Sequence, residues 1–194
     1  MNAGGEAERI GGAERILIVG PSGSGKTQLA LRLGELLGLP VVHLDAHRWR
    51  PGWVALPDSD WRTVVAELTR APAWIMDGTY ESTLDLRIPA ADAVIVLETR
   101  RLNCLWGLLR RRFLDGSRPR PDAPPGQRID GAFLRYLWRY PGTTRPLLLA
   151  QLREHGDGKT VIVLHGRRHV DRLVQDIARL NSYGGVALAA TRRC

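Results

Sequence analysis

The sequence predicts an α/β protein in which helices cover both faces of a parallel β-sheet. Short apolar, β-branched runs alternate along the chain with segments of helical periodicity, which is the pattern of β–α–β crossovers. The chain of 194 residues has 44% hydrophobic and 25% charged residues. This composition suits one globular domain and excludes a disordered chain.

The apolar runs are the predicted strands. The first, at residues 15–20, is apolar on both faces and ends in a glycine, as expected of a central strand in a parallel sheet. The other predicted strands are 40–44, 73–76, 93–97 and 160–164.

Helical periodicity fills most of the chain between these runs. Apolar residues recur at helical spacing over residues 26–37, and Gly38 ends the segment. A second helix is predicted to begin at Asp58 as its N-cap and to run to about residue 70. The remaining predicted helices are 101–113, 170–180 and a long segment before the last strand that is broken near Pro141 and Pro146.

These elements predict a single domain. It covers residues 14–183, between mobile tails at 1–13 and 184–194. Within the domain, we expect a loop at 46–58 and a second irregular segment, rich in proline and arginine, at 114–128.

Positive charge is concentrated in one part of the chain. Lys and Arg number 28 against 20 acidic residues, a formal charge of +8, and only two of the basic residues are lysine. Residues 100–145 contain eleven arginines and three acidic residues. Such a field attracts a polyanion, either a nucleotide triphosphate or DNA.

Composition also predicts a compartment. No apolar stretch approaches the roughly 20 residues that a membrane helix needs, and residues 1–13 lack the apolar core of a secretory signal. The two cysteines are too few for a disulfide framework. We therefore expect a cytoplasmic protein with no membrane partner.

A phosphate-binding loop follows the first predicted strand. Residues 20–27 match the pattern G-x-x-x-x-G-K-[ST] and stand between a strand and a helix. The glycines permit a close backbone approach, so that N–H groups at the helix N-terminus face an anion. Lys26 is predicted to bind the β- and γ-phosphates, and Thr27 to bind Mg²⁺. The residues predicted to bind the nucleotide here are Gly20, Ser22, Gly23, Ser24, Gly25, Lys26, Thr27 and Gln28.

Two aspartates follow predicted strands. Asp77 stands by the crevice where open α/β sheets bind ligands and is a candidate for Mg²⁺, although Asp-Gly is also an ordinary turn pair. Asp45 could accept the proton of an acceptor hydroxyl during phosphoryl transfer, or could be only an N-cap or a substrate hydrogen-bonding group. His43 and His47 would lie about 13 Å apart in a strand, so we do not expect them to share a metal.

The loop at 46–58 carries two tryptophans and two arginines in a short stretch. Aromatic faces and guanidinium groups together suit a planar or anionic acceptor, but the tryptophans could equally pack the loop onto the domain. Residues that follow Asp77 could face the same acceptor. The candidate acceptor-binding residues are Arg48, Trp49, Trp53, Gly78, Thr79, Tyr80 and Arg87.

The segment at 114–128 is predicted to be a mobile, arginine-rich lid. Arginines that close over a phosphoryl group in transit stabilise its charge and exclude water. Arg110 and Arg111, at the end of the preceding helix, are predicted to be catalytic in this way, together with Lys26 and Asp45. A solvated basic face is the alternative for the other arginines.

The chain resembles a known family over residues 15–180. The motifs resemble those of bacterial P-loop proteins called DNA topology modulation proteins, which are similar to adenylate kinase and shikimate kinase. The resemblance implies a three-layer P-loop NTPase fold with a five-stranded parallel sheet and a nucleotide-kinase-like lid. It implies ATP and Mg²⁺ as cofactors, Gly166 and Arg167 beside adenine, and a basic residue near position 107, where this chain has Gly107. The matching motifs are Gly20-Pro-Ser-Gly-Ser-Gly-Lys-Thr27, His43-Leu-Asp45, Trp49-Arg-Pro-Gly-Trp53, Asp77-Gly-Thr-Tyr80 and Leu84-Asp-Leu-Arg87.

Three functions are consistent with these features. The first is a kinase that moves the γ-phosphoryl group of ATP to a hydroxyl or phosphate of a small molecule. The second is a nucleic-acid-binding regulator that hydrolyses ATP, although Gly78 stands where many hydrolysing NTPases have a glutamate and no helix-turn-helix or zinc pattern occurs. The third is a nucleotide-binding protein without turnover, which leaves Asp45 unexplained. We predict the kinase, with its acceptor and oligomeric state left open.

Overall fold

The computed structural model describes residues 3–114 and 131–191, and within these ranges it leaves out the side chains of 3, 110–114, 132–133 and 183–191. All but the first residue of the predicted lid at 114–128 therefore lies outside the described residues. The strands are β1 (Arg15–Val19), β2 (Val41–His43), β3 (Trp49–Arg50), β4 (Val54–Ala55), β5 (Trp74–Asp77), β6 (Ala93–Glu98) and β7 (Thr160–His165). The helices are α1 (Ala3–Gly11), α2 (Lys26–Leu37), α3 (Leu44–Arg48), α4 (Asp58–Thr69), α5 (Leu84–Ala90), α6 (Arg101–Leu114), α7 (Gly131–Arg139), α8 (Thr144–His155) and α9 (Gly166–Thr191), with a 3₁₀ turn at Glu81–Thr83.

The main sheet has five parallel strands in the order β2–β5–β1–β6–β7. This confirms the predicted α/β class and the five-stranded parallel sheet. Because all five strands run the same way, their carboxyl ends meet at one edge, where ligands of such sheets bind. The register places His43 of β2 and Ile18 of β1 on either side of Asp77 of β5.

Helices pack on both faces of the sheet and give it two cores. Side chains alternate along β1, so Ile16 and Ile18 face one core while Leu17 and Val19 face the other. The first core contains residues of α1, α2 and α9, and the second contains residues of α4, α5 and α8. Within the described ranges, no helix has both the length and the apolar composition needed to cross a bilayer.

The prediction of a mobile tail at 1–13 is wrong for Ala3–Gly11, which forms α1. Ala7 and Ile10 lie three residues apart on one face, have no exposed surface and belong to the core that includes α9. Two apolar side chains among glycines and glutamates made too short a stripe to recognise. At the other end, α9 continues to Thr191, beyond the predicted end at residue 180 and into the predicted tail.

The segment between β2 and α4 is more ordered than the predicted loop. It contains α3 and the β3–β4 hairpin, whose turn includes Gly52 at a φ of 80°. Asp58 does not cap α4 as predicted: Pro57 occupies the cap position, and Asp58 accepts a hydrogen bond from Arg48 at 2.8 Å. The predicted break near Pro141 is confirmed, because α7 and α8 are separate helices, but Pro146 lies in the first turn of α8 and does not interrupt it.

Helix α1 should contribute measurably to stability. Ile10→Ala is expected to lower the free energy of unfolding by about 2–4 kcal/mol, because it leaves a cavity where α1 meets the core. Glu8→Ala, at an exposed position of the same helix, should change that free energy by less than about 0.5 kcal/mol. Urea unfolding followed by circular dichroism measures both variants. Equal losses of unfolding free energy in the two variants would mean that α1 does not pack against the core.

Candidate active site

The phosphate-binding loop joins β1 to α2 and has glycine where its backbone requires one. Gly23 and Gly25 have φ angles of 79° and 94°, which side chains disfavour. Gly20 approaches β6 so closely that a Cβ there would lie 2.6 Å from the carbonyl oxygen of Leu97. The buried Ser24 Oγ has no hydrogen-bond partner among the described residues, which suits it to meet an anion. The loop therefore has the form of an anion cradle.

Lys26 begins α2 at the mouth of this loop. Its Nζ donates to the carbonyl oxygens of Gly20, at 2.9 Å, and Pro21, at 3.0 Å. An ammonium is a compact group with three rotatable donors, so it can turn from these carbonyls to phosphate oxygens. Ser22 is half-buried beside it, whereas Gln28 is exposed on the first turn of the helix. The phosphate contacts of these residues stay a prediction.

Asp77 lies at the carboxyl end of β5 and is 5% exposed. Its Oδ2 accepts a hydrogen bond from Thr27 Oγ1 at 2.8 Å, and its Oδ1 lies 2.8 Å from His43 Nδ1. A threonine hydroxyl and a carboxylate beside a phosphate cradle are oxygen ligands of the kind that Mg²⁺ prefers. No group of three or more His, Cys, Asp or Glu that could hold a metal ion occurs in the described part of the chain. Mg²⁺ commonly takes one or two protein carboxylates and completes its shell with phosphate and water.

His43 is a site residue that the sequence prediction missed. The prediction ended the strand at residue 44 and estimated the separation of His43 and His47 from strand spacing, but α3 begins at Leu44 and contains His47. Burial and then the charge of His43 lower the pKa of His47. His43 is itself 8% exposed and contacts Asp77 because the parallel register sets the two side by side.

Thr79 connects the turn after β5 to the base of the phosphate loop. The Gly20 N–H donates to Thr79 Oγ1 at 3.1 Å, and Oγ1 donates to the Gly20 carbonyl oxygen at 2.6 Å. One buried side chain thus binds both backbone groups of Gly20. Thr79 was predicted to bind the acceptor. In the structure its hydroxyl instead hydrogen-bonds to Gly20 of the phosphate loop.

Asp45 lies in the first turn of α3 and is hydrogen-bonded by an aromatic side chain. The Tyr80 hydroxyl donates to Asp45 Oδ1 at 2.6 Å, and Trp49 Nε1 donates to the Tyr80 hydroxyl at 2.9 Å. Burial, reinforced by the charge of Asp45, raises the pKa of Tyr80 well above its usual range, so the phenol stays a donor. This chain of hydrogen bonds fixes one oxygen of the candidate base.

Tyr80 is held in a backbone conformation that few residues adopt. Its φ is +28°, and Gly78 two residues earlier has a φ of 134°. A sparsely populated conformation of this kind costs about 1–3 kcal/mol and persists only when its surroundings enforce it.

Arg87 holds Tyr80 and its neighbours in this backbone conformation. Its guanidinium donates to the carbonyl oxygens of Gly78 at 2.8 Å, Thr79 at 2.5 Å and Tyr80 at 2.8 Å, and its Nε donates to Thr83. Burial lowers the pKa of Arg87 to about 9, so it remains charged at neutral pH. The prediction that Arg87 binds the acceptor is wrong, because the residue is 0% exposed and binds backbone.

The β3–β4 hairpin carries two neighbouring tryptophans, of which Trp49 is linked to Asp45 through Tyr80. The ring centroids of Trp49 and Trp53 are 5.4 Å apart, and both residues are half-buried. Arg48 is tied to the domain, since it donates to Asp58 at 2.8 Å and its guanidinium carbon lies 5.5 Å from the Trp61 ring centroid. Arg48 and Trp49 are therefore packed onto the domain.

Helix α6 passes directly over the phosphate loop. A Cβ on Gly107 would lie 2.6 Å from the carbonyl oxygen of Gly23, and one on Gly23 would collide with the Cys104 carbonyl. The basic residue expected near position 107 does not fit this packing, which is the physical reason for glycine there. The side chains of Arg110 and Arg111 lie outside the described residues, so their catalytic role stays a prediction.

Two tyrosines near the end of α7 also reach the site, and no sequence motif marked them. Tyr140 hydrogen-bonds to Thr79, and its ring centroid is 6.4 Å from that of Tyr136. Although 39% of Tyr136 is exposed, desolvation of its hydroxyl and then the charges of Glu81 and Asp45 raise its pKa. Their spacing of four residues places both on one side of the chain, which was the only available signal.

A cavity of about 530 Å³ opens at the carboxyl ends of β6 and β7, next to the phosphate loop. Arg145 Nε donates to Glu98 at 2.7 Å, and His165 Nδ1 lies 3.4 Å from the other carboxylate oxygen. Gly166, predicted to lie beside adenine, is at its edge, whereas Arg167 is exposed and does not line it. Its walls include Pro21, Val96, Leu97, Tyr140, Leu148 and Leu149.

The fold is similar to that of small kinases. The chain matches the solved structure of a shikimate kinase from Acinetobacter baumannii in complex with shikimate, with a TM-score of 0.56 and 20% identity over 92% of this chain and 98% of that one. It also matches a gluconokinase from Sinorhizobium meliloti 1021, with a TM-score of 0.46 and 18% identity over 88% of this chain and 96% of that one. The first likeness confirms the predicted P-loop NTPase fold.

Comparison by sequence adds no relative. No model of a known protein family matches the chain, and no curated protein matches it either. The resemblance to the DNA topology modulation proteins therefore stays a prediction.

Removal of the buried Arg87 guanidinium should lower the stability of the fold strongly. Arg87→Met is expected to lower the free energy of unfolding by at least about 3 kcal/mol, because it leaves several buried carbonyl oxygens without donors. Arg62→Met is a matched control, since Arg62 is 44% exposed and pairs with Asp85, and its loss of stability should be much smaller than that of Arg87→Met. Urea unfolding measures both. Similar losses would show that Arg87 does not hold the turn.

Proposed function

We propose that the protein is a phosphotransferase that moves the γ-phosphoryl group of ATP to a small-molecule acceptor. The observation that carries this proposal is that one turn supports both ends of such a reaction. Thr79 binds the base of the phosphate loop, and the adjacent Tyr80 binds Asp45. A protein that only bound a nucleotide would gain nothing from a carboxylate held at the neighbouring strand end.

On the donor side, the phosphate loop supplies the charge that a triphosphate needs. Its N–H groups and the N-terminus of α2 would face the phosphates, with Lys26 as a mobile cation. Thr27 and Asp77 would hold the Mg²⁺ ion, whose charge offsets that of the phosphate oxygens. His43 would keep the Asp77 carboxylate oriented through its contact at 2.8 Å.

On the acceptor side, Asp45 is the candidate base. Tyr80 and Trp49 fix the position of one carboxylate oxygen. A hydroxyl bound at this carboxylate would give up its proton as its oxygen attacks phosphorus, and orientation by a fixed group removes much of the entropic cost of that step.

The strand order supports a separation of donor and acceptor. Strands β5 and β2, which carry Asp77 and precede Asp45, lie on one side of β1. Strands β6 and β7, which end at the cavity of about 530 Å³, lie on the other side. The cavity is within the usual size range of ligand sites and has mainly apolar walls, so we propose it for the nucleobase. The phosphates in the loop would then lie between the nucleobase and the acceptor.

Two variants test this assignment. Lys26→Ala is expected to abolish transfer and to weaken MgATP binding, because it removes the cation at the cradle. Asp45→Asn should lower kcat by about 10²–10⁴-fold while MgATP binding is kept, because only the proton acceptor is lost. Calorimetry measures binding, and mass spectrometry of an acceptor panel measures transfer.

Matched controls come from the same chain. Lys159→Ala removes the other lysine, and Asp60→Asn neutralises an exposed carboxylate of α4; both should behave as the unmodified protein. Normal turnover by Asp45→Asn would show that Asp45 is not the general base. Absence of any heat with MgATP would reject the donor site itself.

A further inference from the structure

The two carbonyl oxygens that hold the Lys26 ammonium each have a second hydrogen-bond donor. The Gly20 carbonyl accepts from Lys26 Nζ at 2.9 Å and from the Thr79 hydroxyl at 2.6 Å. The Pro21 carbonyl accepts from Lys26 Nζ at 3.0 Å and from the Ser24 N–H at 3.3 Å. A carbonyl oxygen has two lone pairs, so it can accept both bonds at once. Each carbonyl therefore keeps a donor when the ammonium turns away.

The bond from Thr79 is the shorter of these two second bonds, and it comes from a side chain. Its direction is fixed, because a carbonyl oxygen has no proton to give and the proton must come from the hydroxyl. The hydroxyl oxygen in turn accepts from the Gly20 N–H at 3.1 Å. Thr79 is 5% exposed and Gly20 is buried. The hydroxyl is thus a donor inside the protein that does not depend on the position of Lys26.

A buried carbonyl without a donor carries a free-energy penalty, and this penalty bears on nucleotide binding. In the role proposed for it, Lys26 leaves the two carbonyls in order to reach the β- and γ-phosphates. If the Gly20 carbonyl lost its last donor in that movement, the penalty would reduce the affinity for the nucleotide. The Thr79 hydroxyl avoids this loss because it stays on the carbonyl.

We propose that Thr79 is a positioning residue of the nucleotide site, whose hydroxyl allows Lys26 to exchange the Gly20 carbonyl for phosphate. This inference rests on the proposed function and deepens it, because it gives a residue of the acceptor-side turn a part in nucleotide affinity. Thr79 acts through Gly20 and Lys26, and the role requires no contact between Thr79 and the nucleotide.

The two bonds of Thr79 predict two separable effects of Thr79→Val, which keeps the shape of the side chain and removes the hydroxyl. The Gly20 N–H loses its acceptor both with and without nucleotide. That loss lowers the free energy of unfolding and cancels in the dissociation constant. The Gly20 carbonyl loses its second donor, which matters most once Lys26 has turned away, so this loss weakens nucleotide binding.

Calorimetry with MgATP and the full-length protein tests the proposal. Thr79→Val should raise the Kd of MgATP at least about tenfold, whereas Thr79→Ser, which keeps the hydroxyl, should stay within about threefold of the unmodified protein. Thr79→Cys should lie between them, because a thiol is a weak donor, and it replaces the valine variant if that variant does not fold. Thr69→Val is the matched control, since its hydroxyl bonds to the Ala66 carbonyl within α4; its Kd should not change.

A second background separates this role from a general loosening of the phosphate loop. In Lys26→Met no ammonium leaves the Gly20 carbonyl, so adding Thr79→Val should change the Kd by less than about threefold. Displacement of a fluorescent ATP analogue measures these weaker Kd values. A further tenfold loss in this background would overturn the inference, because Thr79 would then act on the loop and not through Lys26.

The outcomes also distinguish this inference from the proposed function. If the unmodified protein gives no heat with MgATP, the donor site is rejected and both proposals fall. If it binds MgATP and Thr79→Val binds equally well, this inference alone is overturned. Equal losses in Thr79→Val and Thr79→Ser overturn it too, since serine keeps the donor. A loss in the valine variant that serine restores and that vanishes with Lys26→Met supports it.

Discussion

The two hydrogen bonds between Thr79 and Gly20 are the constraint on which the site depends. β1 and β5 are neighbours in the sheet, but their regular pairing ends at Ile18 and Asp77. Beyond that point the Thr79 hydroxyl binds both backbone groups of Gly20. Together with the hydrogen bond from Thr27 to Asp77, this joins the phosphate loop to the turn after β5. Positions on the two then stay within hydrogen-bonding tolerance of each other, as preorganised catalysis requires.

Energetics explain why this arrangement persists. The strained conformation of Tyr80 costs about 1–3 kcal/mol. Hydrogen bonds that involve a charged group contribute about 1.5–3 kcal/mol each, and Arg87 makes several with the 78–80 turn. These hydrogen bonds fix the three carbonyl oxygens of the turn and also replace the hydration that the buried guanidinium loses. The turn is stable because of its partner and not because of its own backbone preference.

The sequence predicted what depends on local pattern. The phosphate loop follows from one contiguous motif, the parallel sheet from repeated apolar runs, and the edge position of Asp77 from its place after a strand. The contact of His43 with Asp77 depends on strand register, and the role of Arg87 depends on a fold in which α5 lies under the 78–80 turn. Neither relation is encoded in spacing along the chain. Helix α1 escaped prediction because its buried face consists of Ala7 and Ile10 alone.

The shared turn also limits how a scaffold of this design can diversify. Because Thr79 binds the phosphate loop and Tyr80 binds Asp45, a substitution within residues 78–80 would disturb both halves of the proposed site together. The β3–β4 hairpin is a separate two-stranded sheet outside this turn, and Trp49 links it to Tyr80. In the proposed site, substrate preference would therefore change more readily in the hairpin, and a library aimed at new substrates belongs at Trp53 and its neighbours.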